Sequence, residues 1–187
     1  MRLFNRHIVY SGWGRFLTAD MELDSGVVVH RQIEDHGEAA AVLAYDPERR
    51  TALLVRQPRA GPLYSGFDAY LVEAAAGRIE EGDEAEATVV REAMEELGVR
   101  LKGVEPVVAA WSMPAVSSER IHLYLAACSA ADRVGAGGGL EEEHEEIEVL
   151  ELPLKEVLRR ADAGELPDIK TLALVWALAR RRPELFG

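Results

Sequence analysis

The segment Gly77-Arg78-Ile79-Glu80-Glu81-Gly82-Asp83, followed by Arg91-Glu92-Ala93-Met94-Glu95-Glu96-Leu97-Gly98-Val99, carries the densest information in the chain. Between its two halves the residues from Glu84 to Leu97 read as a helix. Asp83 stands in the N-cap position, Glu86 completes a capping box three residues on, and Gly98 supplies the C-terminal stop. On a wheel of about 100° per residue with Glu92 at zero, Glu96 falls near 40° and Glu95 near −60°. The carboxylates of Glu92, Glu95 and Glu96 therefore share one face. Ala93, Val90, Leu97 and Met94 form a stripe elsewhere on the wheel, expected to face a core.

Carboxylates so placed repel. Two unit charges 4 Å apart cost roughly 4 kcal/mol at an effective dielectric of 20. On the helix alone, two readings stand. The side chains splay into water as a solvated acidic face, or they line a cleft and must bind a cation or raise a pKa. An all-oxygen donor set favours Mg²⁺, with Mn²⁺ as a substitute, over zinc, and no plausible Cys/His set competes.

The chain of 187 residues is long enough for one ordinary domain, and 48% apolar content excludes a disordered segment. The net charge of −12 argues against a nucleic-acid or anionic-membrane partner, though not against a small phosphorylated ligand neutralised by a metal. The single cysteine, Cys128, is expected as a small core residue after a buried strand, and no intramolecular disulfide can form. Arg2 and Arg6 have no apolar run behind them, so no signal peptide is expected. The apolar stretch from Leu172 to Ala179 is too short for a bilayer, and the default expectation is a soluble cytoplasmic protein.

Residues 1–40 alternate apolar and polar positions, and strands are expected at Gly26–Val29 and Glu38–Tyr45. Thr51–Arg56 reads as a buried strand, 58–68 as a loop, and Ala69–Ala75 as a strand. Val107–Trp111, Glu119–Cys128 and Glu148–Leu152 are strand-like, and helices are expected from Pro153 to about Ala163 and from Ile169 to Arg182. Gly135-Ala136-Gly137-Gly138-Gly139 reads as a flexible stretch that frees the acidic loop after it. It lacks the strand–loop–helix setting of a phosphate cradle. Trp13, Trp111 and Trp176 are expected to pack, with one of them available to stack a base. Strands interleaved with a few helices imply a mixed α/β layer fold.

Gly77, Arg91-Glu92, Glu95-Glu96 and Gly98-Val99 stand at the spacing of the Nudix box, which this segment closely resembles. It departs once, with Asp83 where the family has Glu. That substitution leaves the helix cap as the better-supported role for Asp83. Val55-Arg56-Gln57-Pro58-Arg59, Leu71 to Gly77, Pro114 and Glu119 to Leu123 resemble the ADP-ribose and nucleotide-sugar pyrophosphatase branch. Ala136 to Leu140, Glu145 to Pro153 and Asp168-Ile169-Lys170-Thr171 are similar to the bacterial GDP-mannose hydrolases. Ala115 stands where a glycine is usual. The resemblance covers residues 38–180.

The resemblance implies a Nudix fold, a mixed β-sheet between helices with an N-terminal antiparallel β-strand region. Residues 1–37 would serve dimerisation and the substrate pocket, and 38–187 would form the hydrolase domain. Glu92, Glu96 and the carbonyl of Ala76 would hold the metal, Glu95 would be a further ligand or would hold a bound water, and Arg91 would fix a neighbouring glutamate. Arg56, Arg59 and Glu119 would contact substrate, Glu73 would reach the metals or an arginine, and Glu143 would be the general base. The implied activity is Mg²⁺-dependent cleavage of the diphosphate of a nucleotide sugar, GDP-mannose first and ADP-ribose second, by a homodimer. One alternative is a non-catalytic nucleotide-sugar sensor. Another is a nucleotide-pool or RNA-cap hydrolase, which the acidic charge and the flanking segments disfavour.

Overall fold

The computed structural model describes residues 1–140 and 146–187. The N-terminal alternation forms an antiparallel three-stranded sheet of β1 (Arg2–Ser11), β2 (Arg15–Glu22) and β3 (Val28–Asp35), in that order. Much of it faces solvent, with Ile8, Val9 and Tyr10 of β1 exposed. The end of β3 is clamped to the loop around Pro114. Glu34 N–H donates to the Val116 carbonyl at 2.8 Å, and Ser118 N–H donates to the Glu34 carbonyl at 2.9 Å.

The second sheet has seven strands. Its spine runs β10 (Glu148–Pro153), β5 (Thr51–Pro58), β4 (Ala39–Asp46), β9 (Arg120–Ala127), β8 (Glu105–Trp111), while β6 (Tyr70–Glu73) pairs with β5 and β7 (Ala75–Arg78) with β4. Among the described residues of this sheet only β4 and β9 run parallel, so the sheet is mixed. Every residue of β4 is buried, the pattern of a central strand covered on both faces. Its alternate side chains enter two cores. Ala41, Leu43 and Tyr45 pack with residues of α3 (Leu154–Asp162) and α4 (Ile169–Arg181). Ala40, Val42 and Ala44 pack with Val89, Ala93 and Leu97 of α2 (Ala85–Leu97). The sheet is thus sandwiched between α2 and the α3–α4 pair.

Several local expectations are corrected. The helix start moves one residue on. Asp83 is spent on a tight turn in which its N–H donates to the Glu80 carbonyl at 3.0 Å, so Glu84 becomes the N-cap, and it makes no side-chain capping bond. No Asp83–Glu86 capping box forms. The loop at 58–68 contains a short helix, α1 (Ala60–Tyr64), and the expected strand Ala69–Ala75 breaks at Ala74 into β6 and β7. Trp13, Trp111 and Trp176 do not fill a core; all three are exposed. Cys128 is half-buried at the margin of the α2-side core, and burial pushes its thiol up to about 11.

The glycine-rich stretch is not slack either. It wraps the C-terminal end of α2, where helix carbonyls lack intrahelical partners. Gly138 N–H donates to the Glu96 carbonyl at 2.9 Å and Gly139 N–H to the Glu95 carbonyl at 3.1 Å. Gly98 closes the helix in the left-handed region at φ 69°, and a methyl there would lie 2.2 Å from the Gly135 carbonyl oxygen. Gly98→Ala is therefore expected to cost more than the roughly 1–2 kcal/mol of left-handed backbone alone, measured by urea unfolding. A loss below about 1 kcal/mol would mean the strap is not seated there.

Candidate active site

The buried arc of α2 is not the stripe drawn from the wheel. Thr88, Val89, Glu92, Ala93, Glu96 and Leu97 are buried, while Val90 is exposed and Met94 is half-buried. Two of the three carboxylates are therefore packed against the sheet, and Glu96 is only 2% exposed. What they pack against is backbone. Ala76 N–H donates to Glu96 Oε2 at 3.0 Å. Glu92 lies so close to Gly77 that a methyl at that position would sit 1.7 Å from its Oε1. Only glycine permits that approach.

Arg91 bridges the rest of the acidic face. Its Nη2 lies 2.8 Å from Glu92 Oε1 and its Nη1 donates to Glu95 Oε2 at 2.7 Å. Burial pulls the Arg91 guanidinium down, but the charges of Glu92 and Glu95 outweigh it and the net shift is upward.

Opposite α2, a second ionic group forms around Glu73, itself 2% exposed. Arg59 grips it as a fork, Nε to Oε1 at 2.8 Å and Nη2 to Oε2 at 2.9 Å. Lys170 at the start of α4 also donates to Glu73, and it lies 3.0 Å from Asp168 Oδ2. Burial on its own would raise the Glu73 carboxyl. Arg59 and Lys170 outweigh it and hold Glu73 below the usual carboxylate range.

These groups line one cleft of about 980 Å³. Its wall carries Arg59, Arg78, Arg91 and Lys170 against Glu73, Glu80, Glu92, Glu95, Glu119 and Asp168, so its ionic lining is net acidic. Trp13 and His36 close one side, stacked with centroids 4.9 Å apart. His36 Nε2 lies 3.0 Å from Glu119 Oε1. Its Nδ1 is 3.1 Å from Glu34 Oε1, but without hydrogen-bond alignment.

The structure thus gathers Ala76, Glu92, Glu95, Arg59 and Glu119 around one cleft, with Glu96 seated directly behind Ala76. Glu73 reaches an arginine, Arg59. Arg56 is not among the lining residues. It pairs with Glu148 at 3.3 Å and lies over the Tyr70 ring, 4.2 Å from its centroid. Glu143 lies outside the described residues. Sequence reasoning assigned no role to Lys170, Thr171, His36 or Arg78. The signal for the first two was present in Asp168-Ile169-Lys170-Thr171, where an N-cap acid is followed by a cation and a hydroxyl.

The oxygen donors of Glu92, Glu95, Glu96 and the Ala76 backbone suit a hard divalent cation. Among the described residues no three His, Cys, Asp or Glu side chains converge closely enough to enclose a metal. Arg91 holds Glu92 and Glu95, and a cation would have to compete with it for them.

Fold and cleft together define an α/β sandwich whose helix α2 lines an acidic cleft with Glu92 and Glu95 and buries Glu96 behind it. Residues 35–174 match the NUDIX domain. The chain belongs to the Nudix family and is a hydrolase of it. It is 39% identical over 170 residues to a GDP-mannose pyrophosphatase of Cronobacter sakazakii, covering 89% of this chain and 87% of that protein. It is 37% identical over 164 residues to a GDP-mannose pyrophosphatase of Citrobacter koseri, covering 86% and 84%. The crystal structure of an ADP compounds hydrolase superposes with a TM-score of 0.76 at 17% identity, covering 98% of this chain and 94% of that one, which attests the fold.

The Glu73 group predicts a pH signature. Its depressed carboxyl contributes stability that is present above its unfolded value, near 4.3, and that is lost as pH falls through the lower folded value. Glu73→Gln should therefore lower unfolding stability at pH 7, and the gap to the parent should narrow as pH drops below about 4. Urea titrations at pH 7 and pH 3.5 would check this; a gap that widens in acid would contradict it.

Proposed function

We propose that this protein hydrolyses the diphosphate bond of a nucleoside diphosphate sugar in a Mg²⁺-dependent reaction, releasing a nucleoside monophosphate and a sugar phosphate. GDP-mannose is the first substrate and ADP-ribose the second. The observation that carries the reading is the seating of Glu92 and Glu96 against the Gly77 and Ala76 backbone beside an acidic cleft. A diphosphate is strongly anionic and is admitted to such a cleft only with compensating cations. The likeness to proteins named GDP-mannose pyrophosphatase supports the substrate class.

In this reading Glu92, Glu95, Glu96 and the Ala76 carbonyl hold the metal, Mg²⁺ or Mn²⁺. A divalent ion bound there neutralises diphosphate oxygens and makes water a better nucleophile. The chain's own residues do the rest. Arg91 orients Glu92 and Glu95. Arg59, fixed by Glu73, faces the cleft as a phosphate contact, and Glu119, held by His36, borders it. Arg56 serves substrate only if it leaves Glu148 and Tyr70. Glu143 accepts the proton of the attacking water. Residues 38–187 are the hydrolase domain.

The N-terminal strands, residues 1–37, supply a dimer contact and part of the pocket wall. Ile8, Val9, Tyr10, Val27 and Val28 leave apolar surface exposed on that sheet, the kind of surface a second copy would cover. No helix among the described residues is long and apolar enough to cross a membrane, which is compatible with the cytoplasmic setting we assign. A non-catalytic sensor could dispense with the helix glutamates, whereas Glu92, Glu95 and Glu96 are all present.

Incubation with GDP-mannose or ADP-ribose and Mg²⁺, followed by ³¹P NMR, should show a nucleoside monophosphate and a sugar phosphate. Tight binding with no product would establish the sensor reading instead. Glu96→Gln should keep the fold and lose more activity than the roughly 10–100-fold typical of an outer-shell metal partner; undiminished turnover would refute the metal assignment. Sedimentation should give a dimer at micromolar concentration, and Ile8→Glu with Tyr10→Glu should give monomers. A monomeric parent overturns the dimer.

A further inference from the structure

We infer that Thr171 is a positioning residue for the α2 carboxylates, acting through the break between β6 and β7. This rests on the reading of those carboxylates as metal ligands. The starting point is Ala74. β6 pairs with β5 and β7 pairs with β4, so at Ala74 the chain leaves one partner and joins another. Ala74 lies between the two strands and is fully buried. A buried N–H outside any ladder needs an acceptor. Thr171 supplies it, its Oγ1 lying 2.7 Å from the Ala74 nitrogen, and Thr171 is itself fully buried.

The hydroxyl is in turn held. It donates to Asp168, the N-cap of α4, which also accepts the Thr171 N–H at 3.0 Å. Lys170 links Asp168 to Glu73, the residue just before Ala74, and Arg59 clamps Glu73 from the other side. The break is thereby fixed at two consecutive residues by the first turn of α4. The next residues are the wall on which α2 rests. Ala76 N–H holds Glu96, and Gly77 contacts Glu92. A shift of the break would carry straight into the seat of both carboxylates. A merely structural threonine would give up stability alone; a positioning one changes cation affinity as well.

The test is Thr171→Val, nearly isosteric but without the hydroxyl, with Thr171→Ser as the conservative rescue. Mn²⁺ alone is titrated calorimetrically, and kcat and KM are measured separately on GDP-mannose. The variant is expected to bind Mn²⁺ about tenfold more weakly, the lower end of the range for outer-shell partners. Its kcat should fall with KM little changed, and Thr171→Ser should restore both. Thr171→Ala, which opens space rather than crowding the site, replaces the valine variant if that one does not fold.

In the parent protein the Ala74 amide should be strongly protected from hydrogen exchange, which requires no variant. Parent-like Mn²⁺ binding and kcat without the hydroxyl overturn the inference. So does an Ala74 amide exchanging at exposed-loop rates, or a serine variant that behaves like the valine one. Failure of the function itself is distinguishable: it appears as an active Glu96→Gln, whereas the Mn²⁺ titration and the Ala74 exchange read this inference directly.

Discussion

Two carboxylates can leave water side by side only where something rigid and polar, or very close, takes them in. Here that something is the backbone of β7. The Ala76 N–H receives Glu96, and the missing side chain of Gly77 makes room for Glu92. A hydrogen bond to the charged form offsets part of the desolvation cost of burial. Arg91 adds to this at Glu92, its guanidinium joining Glu92 to Glu95 across the helix face. Removing the approach at Gly77 would displace Glu92 into the cleft or back into water, and the site would lose its shape before it lost its charge.

The protein is acidic overall, with a net charge of −12, and its cleft repeats that sign locally. Three of the four positive groups in the lining are paired with carboxylates, Arg59 and Lys170 with Glu73 and Arg91 with Glu92 and Glu95, while Arg78 lies against Trp13. Such pairs neutralise the wall without leaving much free cationic capacity for a diphosphate. That is why a divalent cation fits the chemistry better than an arginine-only phosphate site. It is also why the substrate is expected to be small: a polyanion would meet the surrounding acidic surface as well as the cleft.

How much of this could be read from the residues depends on range. The helix, its C-terminal glycine and the spacing of Glu92, Glu95 and Glu96 are local facts, and they stand in the structure where the pattern put them. The buried strand Ala39–Asp46 is also local, since an unbroken apolar run of that length suits a strand covered on both faces. The orientation of α2 was not legible. Its apolar residues alone drew a core stripe through Val90 and Met94, whereas the true buried arc admits glutamates because strand backbone waits there to receive them. The Asp83 cap failed for a similar reason: its N–H belongs to the preceding turn. The glycine run looked slack because glycine permits mobility. Glycine equally permits close approach, and only the distances to Glu96 and Gly98 decide between the two.

The same distinction bears on how the site stays in register. α2 is held at its end by the strap from Gly135 to Gly139, along its buried side by β7, and across its acidic face by Arg91. β7 in turn inherits its position from the start of α4, through Thr171 and the Glu73 ionic group. The helix that carries the proposed metal ligands lies on one face of the sheet, and the helix inferred to fix its seat lies on the other. The link between them crosses the sheet at Ala74, where the chain passes from pairing with β5 to pairing with β4. A continuous strand would have satisfied its own N–H groups and left no opening for a hydroxyl from the opposite layer. The break at Ala74 therefore ties α4 to the geometry of a site that α4 borders but does not build.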